Sequence, residues 1–172
     1  MEKTGGPGPL NLVKLCVGAD TIEDIAAWQA HLATTRTAAG LPPEPRHVTR
    51  QWPRRAAEIL GQGEAGPGKG SGSLYWVIRG LILVRQRITA LEETPGEDGI
   101  IRCGIVMDPQ IVRVESRPRR VFQGWRYLTG ADAPPDLGIW RADSQDDGAA
   151  SAALPRELEV ALDALGVGAI AR

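Results

Sequence analysis

Two stretches hold the residues best equipped for chemistry. In RHVTRQWPRR, residues 46–55, His47 stands among Arg46, Arg50, Arg54 and Arg55. Neighbouring cations disfavour a further positive charge, so His47 is expected to be a neutral imidazole, the residue best placed to serve as a general acid or base. In RPRRVFQGWRYL, residues 117–128, Phe122, Trp125 and Tyr127 lie beside Arg117, Arg119, Arg120 and Arg126, in a chain with only eight aromatic residues. Arginine binds phosphate bidentately and stacks on flat rings, and aromatic side chains offer unpaired bases a platform. A third set, Arg85 and Arg87 of RQRITAL, shares one face of an expected strand with Thr89, opposite Ile82, Val84, Gln86 and Ile88.

Other chemistries find less support. The soft metal ligands are Cys16, Cys103, His31 and His47, and no two of them are separated by the roughly two to five residues that zinc sites use. No metal and no cofactor are therefore expected. Cys16 could act as a nucleophile with His47 as its base only if their strands were neighbours; a cysteine ending an apolar strand is more often buried filler. GEAGPGKG, residues 63–70, nearly spells a phosphate-binding loop. Gly70 replaces the required hydroxyl, however, and the expected order is helix then strand rather than strand then helix.

Charge is unevenly spread along the chain. Residues 46–126 hold fourteen Lys/Arg against eight acidic residues, whereas residues 1–45 hold three against five and residues 127–172 three against eight. Seventeen of the twenty cations are arginine. An anionic partner for the middle of the chain follows as an expectation. No apolar run approaches the length of a membrane span, and the N-terminus lacks the apolar segment of a secretory signal, so a cytoplasmic protein without a membrane partner is expected.

These side chains must be positioned by a single domain over residues 10–140, following a Gly/Pro-rich lead at 1–9. LNLVKLCV reads as a central strand, mostly apolar on both faces. A helix after Gly18, capped at Asp20 or Thr21 and stopped at Gly40, turns Ile22, Ile25, Trp28 or Gln29, and Leu32 toward the sheet. A short strand at RHVTRQW and a short helix after Pro53, ending near Gly61 or Gly63, precede a Gly-rich insertion at 61–72. LYWVIRG, LILVRQRITALEE, IIRCGIVMD and QIVRVES read as four strands of an antiparallel meander that VFQGWRYL could extend. An acidic linker at 141–153 and an amphipathic helix at 154–166 close the chain. The fold class is α+β, a mostly antiparallel curved sheet or small β-barrel flanked by two or three helices.

The runs HVTRQWPRR, GSLYWVIRGLILVRQRI, IIRCGIVMDP and FQGWRYL together resemble a family of short alphaproteobacterial proteins defined as a domain of unknown function. The resemblance covers roughly residues 10–140 and departs in the Gly-rich insertion and beyond Trp140. It implies a small bacterial cytoplasmic domain and brings no reaction, cofactor or site residue. The helix, meander and aromatic closing segment are also similar in architecture to PUA-like barrels, of the pseudouridine-synthase-and-archaeosine-transglycosylase type, many of which bind RNA or modified bases.

The expected function is non-catalytic binding of RNA, a nucleotide or a modified base. Arg46, His47, Arg50, Arg85, Arg87, Arg119, Arg120 and Arg126 would form the ligand-binding face, and Trp125 or Tyr127 the stacking platform. The alternatives are an enzyme acting on a nucleotide or nucleic acid with His47 as acid or base, and a protein-interaction module using the C-terminal helix or the aromatic corner.

Overall fold

The computed structural model describes residues 8–61, 71–120 and 122–143. The C-terminal helix expected at 154–166, most of the linker and most of the Gly-rich insertion lie outside the described residues. The elements run β1 (Leu10–Leu15), α1 (Ile22–Ala38), β2 (Arg46–Thr49), α2 (Ala56–Ile59), β3 (Ser73–Ile78), β4 (Leu81–Pro95), β5 (Ile101–Met107), β6 (Val112–Pro118), β7 (Trp125–Thr129) and β8 (Asp136–Ile139).

Local sequence explains most of these boundaries. At the start of α1 the Thr21 hydroxyl accepts from the Asp24 N–H, and the Asp24 carboxylate accepts from the Thr21 N–H. This reciprocal capping is worth about 1 kcal/mol. Between β3 and β4, Arg79 and Gly80 both have positive φ and Ile78 pairs with Leu81, giving a two-residue hairpin whose twist matches its strands. Gly72 admits no side chain, because a Cβ there would lie 1.9 Å from the Leu10 carbonyl oxygen. That close approach lets the chain leaving α2 enter β3 alongside β1, with the Gly72 N–H donating to the Ile59 carbonyl.

Eight strands form one mixed, mostly antiparallel sheet along the path β2-β5-β4-β3-β1-β7, with β6 added on β4 and β8 on β6. Among the described residues only β1 and β3 pair in parallel. Two expectations need correcting. The sheet is not closed into a barrel, and a PUA-like fold is not supported. The four-strand meander holds for β3, β4 and β5, but β6 returns to β4 instead of following β5. The cause is the length of β4, whose fifteen residues are interrupted by register shifts. Its first half pairs with β3 and β6, and its second half pairs with β5.

Alternation along the central strands feeds two cores. Leu10, Leu12, Leu74, Trp76 and Ile78 point to one side, where Ile22 and Ile25 of α1 and Ile59 of α2 cover them. Val13, Tyr75 and Val77 point to the other, packed with Val114, Leu128, Ala133 and Phe122. This agrees with reading LNLVKLCV as central and mostly apolar on both faces. Full burial of each such side chain contributes about 1.5–3 kcal/mol.

Candidate functional site

β1 continues beyond its buried half into Lys14 and Leu15, and Cys16 follows. By alternation Lys14 and Cys16 share the face that carries Leu12. In register, Lys14 stands beside Trp76 on β3 and beside Trp125 on β7. The lysine is thus the middle of a row of three residues crossing three strands, flanked on each side by a tryptophan. Trp76 is held by its indole N–H, which donates to Gln86 Oε1 at 3.0 Å. Gln86 in turn exchanges two hydrogen bonds with Gln29 of α1, at 2.8 and 2.9 Å. This buried amide pair makes Gln29 the inward residue of α1 and leaves its neighbour Trp28 44% exposed at the rim.

β2 delivers the remaining wall. β2 lies at the far end of the strand path, yet the His47 ring meets the Trp76 indole edge-on, with centroids 5.5 Å apart. Just past β2, the Gln51 carbonyl accepts from the Trp125 indole N–H at 3.1 Å. The result is a cavity of about 300 Å³ lined by Lys14, Cys16, Ile25, Trp28, His47 and Trp76, together with Asp24 and the loop from Val17 to Ala19.

Burial sets the protonation states in this cavity. His47 is pushed down to about 4, chiefly by burial and then by the Lys14 charge. It is therefore neutral at pH 7, as expected, but the cause is not the surrounding arginines. Arg46 pairs with Glu92 and Arg55 with Glu58. Burial pushes the Cys16 thiol up to about 11, with Lys14 acting against the shift and Asp24 adding to it. Burial also lowers the Lys14 ammonium from its ordinary value, opposed by Cys16. The Asp24 carboxyl is held below the usual carboxylate range, first by the Asp20 N–H. A thiol and a neutral imidazole do not make the thiolate and imidazolium of an activated cysteine. The cavity instead offers aromatic walls, one amine and a neutral hydrogen-bonding ring.

The arginines of the expected binding face are distributed over several parts of the fold. Arg85 is 1% exposed: its guanidinium binds the Asp136 carboxylate at 2.7 and 2.6 Å and the Ser73 hydroxyl at 2.9 Å. It lies in the interior, and the expectation of an outward cationic face along β4 is corrected accordingly, with Arg87 only half-buried there. Arg50 and Arg120 are exposed. Arg119 and Arg126 gather over the Phe122 ring at 5.6 and 5.2 Å, toward the second core and away from His47. Trp125 and Tyr127 do share a strand face, with centroids 4.9 Å apart. Trp125 is nonetheless buried, and the Tyr127 hydroxyl accepts from the Arg55 N–H while the Arg55 guanidinium sits over its ring. Those rings fasten β7 to the segment before α2 and leave no open stacking platform.

His47 and Cys16 line one cavity, although β1 and β2 are not paired strands, the condition on which the sequence offers the two as nucleophile and base. Lys14, Trp28 and Trp76 were not singled out as site residues. One signal in the sequence is Lys14 itself, the charge inside a mostly apolar central strand. His31 is exposed on α1 and Cys103 is buried in β5. Among the described residues no group of three or more His, Cys, Asp or Glu could hold a metal ion, and no helix is long and apolar enough to cross a membrane.

No curated protein and no solved structure shows significant similarity to the chain. One family model does match, over residues 12–168, so the likeness extends well beyond Trp140, where the sequence resemblance was placed. The chain belongs to that family, described as protein of unknown function DUF1489.

Proposed function

We propose that the protein binds a small molecule built on a single flat ring, a nucleobase, nucleotide or heteroaromatic of similar size, in the Lys14 cavity. One observation carries this reading: a partly open, mostly apolar space of about 300 Å³ with the indoles of Trp28 and Trp76 and the His47 imidazole among its walls. That volume lies at the lower end of the range for small-ligand sites and suits one ring with a substituent, but not a dinucleotide. Neutral His47 and the Lys14 amine supply directional hydrogen bonds at the edge of such a ring. Because the arginines do not converge, the cavity supports the reading better than an RNA face does.

Titration of the protein with free bases, nucleosides and nucleoside monophosphates, followed by tryptophan fluorescence, tests the proposal. Saturable quenching by a member of this panel is expected. Trp28→Ala should weaken it roughly tenfold or more, as loss of about 1–3 kcal/mol of ring stacking implies. A flat response to the whole panel would overturn the nucleobase reading.

A further inference from the structure

The chain uses arginine for seventeen of its twenty cations, yet the cation in the cavity is a lysine, the single one among the described residues. The exchange matters chemically. A guanidinium is always charged and not nucleophilic, whereas an amine freed of its proton attacks carbonyl carbon. Lys14 is placed for this, half-buried between two tryptophan-bearing positions and opening into an apolar cavity sized for one ring. The charged and titratable groups around it are Cys16 on its own strand, Asp24 on α1 and His47 on β2.

We infer that Lys14 captures a small ring-bearing aldehyde or ketone as an imine, so that the cavity's ligand is held covalently and reversibly. In this step the neutral Lys14 nitrogen adds its lone pair to the carbonyl carbon, and a proton passes from nitrogen to oxygen to give a carbinolamine. The hydroxyl then departs as water with a second proton from nitrogen, leaving the C=N bond. One water is formed for each imine, and no oxidant or reductant is consumed. Burial, which lowers the Lys14 ammonium from its ordinary value, raises the fraction of free amine at neutral pH. The inference rests on the cavity being a ligand site, but not on the ligand being a nucleobase.

The test uses pyridine-4-carboxaldehyde with sodium cyanoborohydride at pH 7, which converts each imine into a stable secondary amine. Adducts are located by peptide mass spectrometry. Lys3, Lys69 and the terminal amine of the same chain serve as internal comparisons. Lys14 is expected to be modified at least tenfold faster than Lys3 and Lys69, in a saturable manner. The Lys14→Arg variant should lose that adduct while the other amines react as before. Modification of Lys14 no faster than of Lys3 and Lys69 would overturn the inference. The wild-type distribution decides this even if the variant folds poorly. Nucleobase binding without the Lys14 adduct would remove the inference and spare the proposed function; the adduct without nucleobase affinity would keep the inference and remove the nucleobase reading.

Discussion

Replacing Asp136 with alanine would leave the Arg85 guanidinium buried without its carboxylate. The side chains of the pair are 1% and 13% exposed, and the carboxylate accepts two charge-assisted hydrogen bonds at 2.6 and 2.7 Å. For a pair so enclosed, removing one partner costs about 3–5 kcal/mol, because the remaining charge must stay desolvated or drag water inward. Against a total stability of about 5–15 kcal/mol for an ordinary domain, the variant is expected to lose a fifth or more of its margin. The midpoint of thermal unfolding should fall by roughly 10 °C or more. Urea unfolding followed by circular dichroism measures the loss directly. Replacing both partners with apolar residues, Arg85→Met with Asp136→Leu, should recover much of it, since the isolated charge is then gone. A loss below about 1 kcal/mol, with an unchanged denaturant slope, would refute the reasoning. It would place the pair with exposed ion pairs and return Arg85 to the residues available for a ligand.

Two further outcomes follow from the cavity. Folded His47 resists protonation down to about pH 4, whereas in the unfolded chain it takes a proton near pH 6.5. As pH falls through that window the unfolded state binds a proton that the native state does not, so stability should drop by about 2–3 kcal/mol, and His47→Asn should flatten that part of the pH profile. An unfolding profile with the same slope between pH 6.5 and 4 in both proteins would refute this assignment. Cys16, with its thiol raised to about 11, should react with iodoacetamide at pH 8 at least tenfold more slowly than a free thiol and accelerate above pH 10. Rapid alkylation of Cys16 at pH 8 would show a thiolate that the burial argument excludes.

The sequence was most legible where a signal is local. Thr21 with Asp24 announces the start of α1, Gly80 the β3–β4 turn, and the doubly apolar LNLVKLCV a central strand. It was least legible where the answer depends on which strands become neighbours. The return of β6 to β4 follows from the length of β4 and its register shifts, which no turn residue encodes. Trp28 and Gln29 were equal candidates for the inward face of α1, and the choice is made by Gln86, far away in sequence. Arg85 looked like an outward cation until Asp136 supplied the partner that lets it be buried. Cys16 and His47 line one cavity although their strands are not paired, because the His47 ring packs on Trp76 of β3. Composition records the surplus of arginine but not its scattering over the fold.

The row of Trp76, Lys14 and Trp125 has a consequence for how the protein comes into being. β3 and β4 form a hairpin with a two-residue turn, so their pairing can arise early and locally. β1 is made first but waits for β3 on one side and for β7, late in the chain, on the other. On a ribosome, Lys14 would emerge long before the tryptophan that flanks it from β7. The row of three is therefore completed late, and the strand that carries Lys14 is held on both sides only once β7 has paired with it.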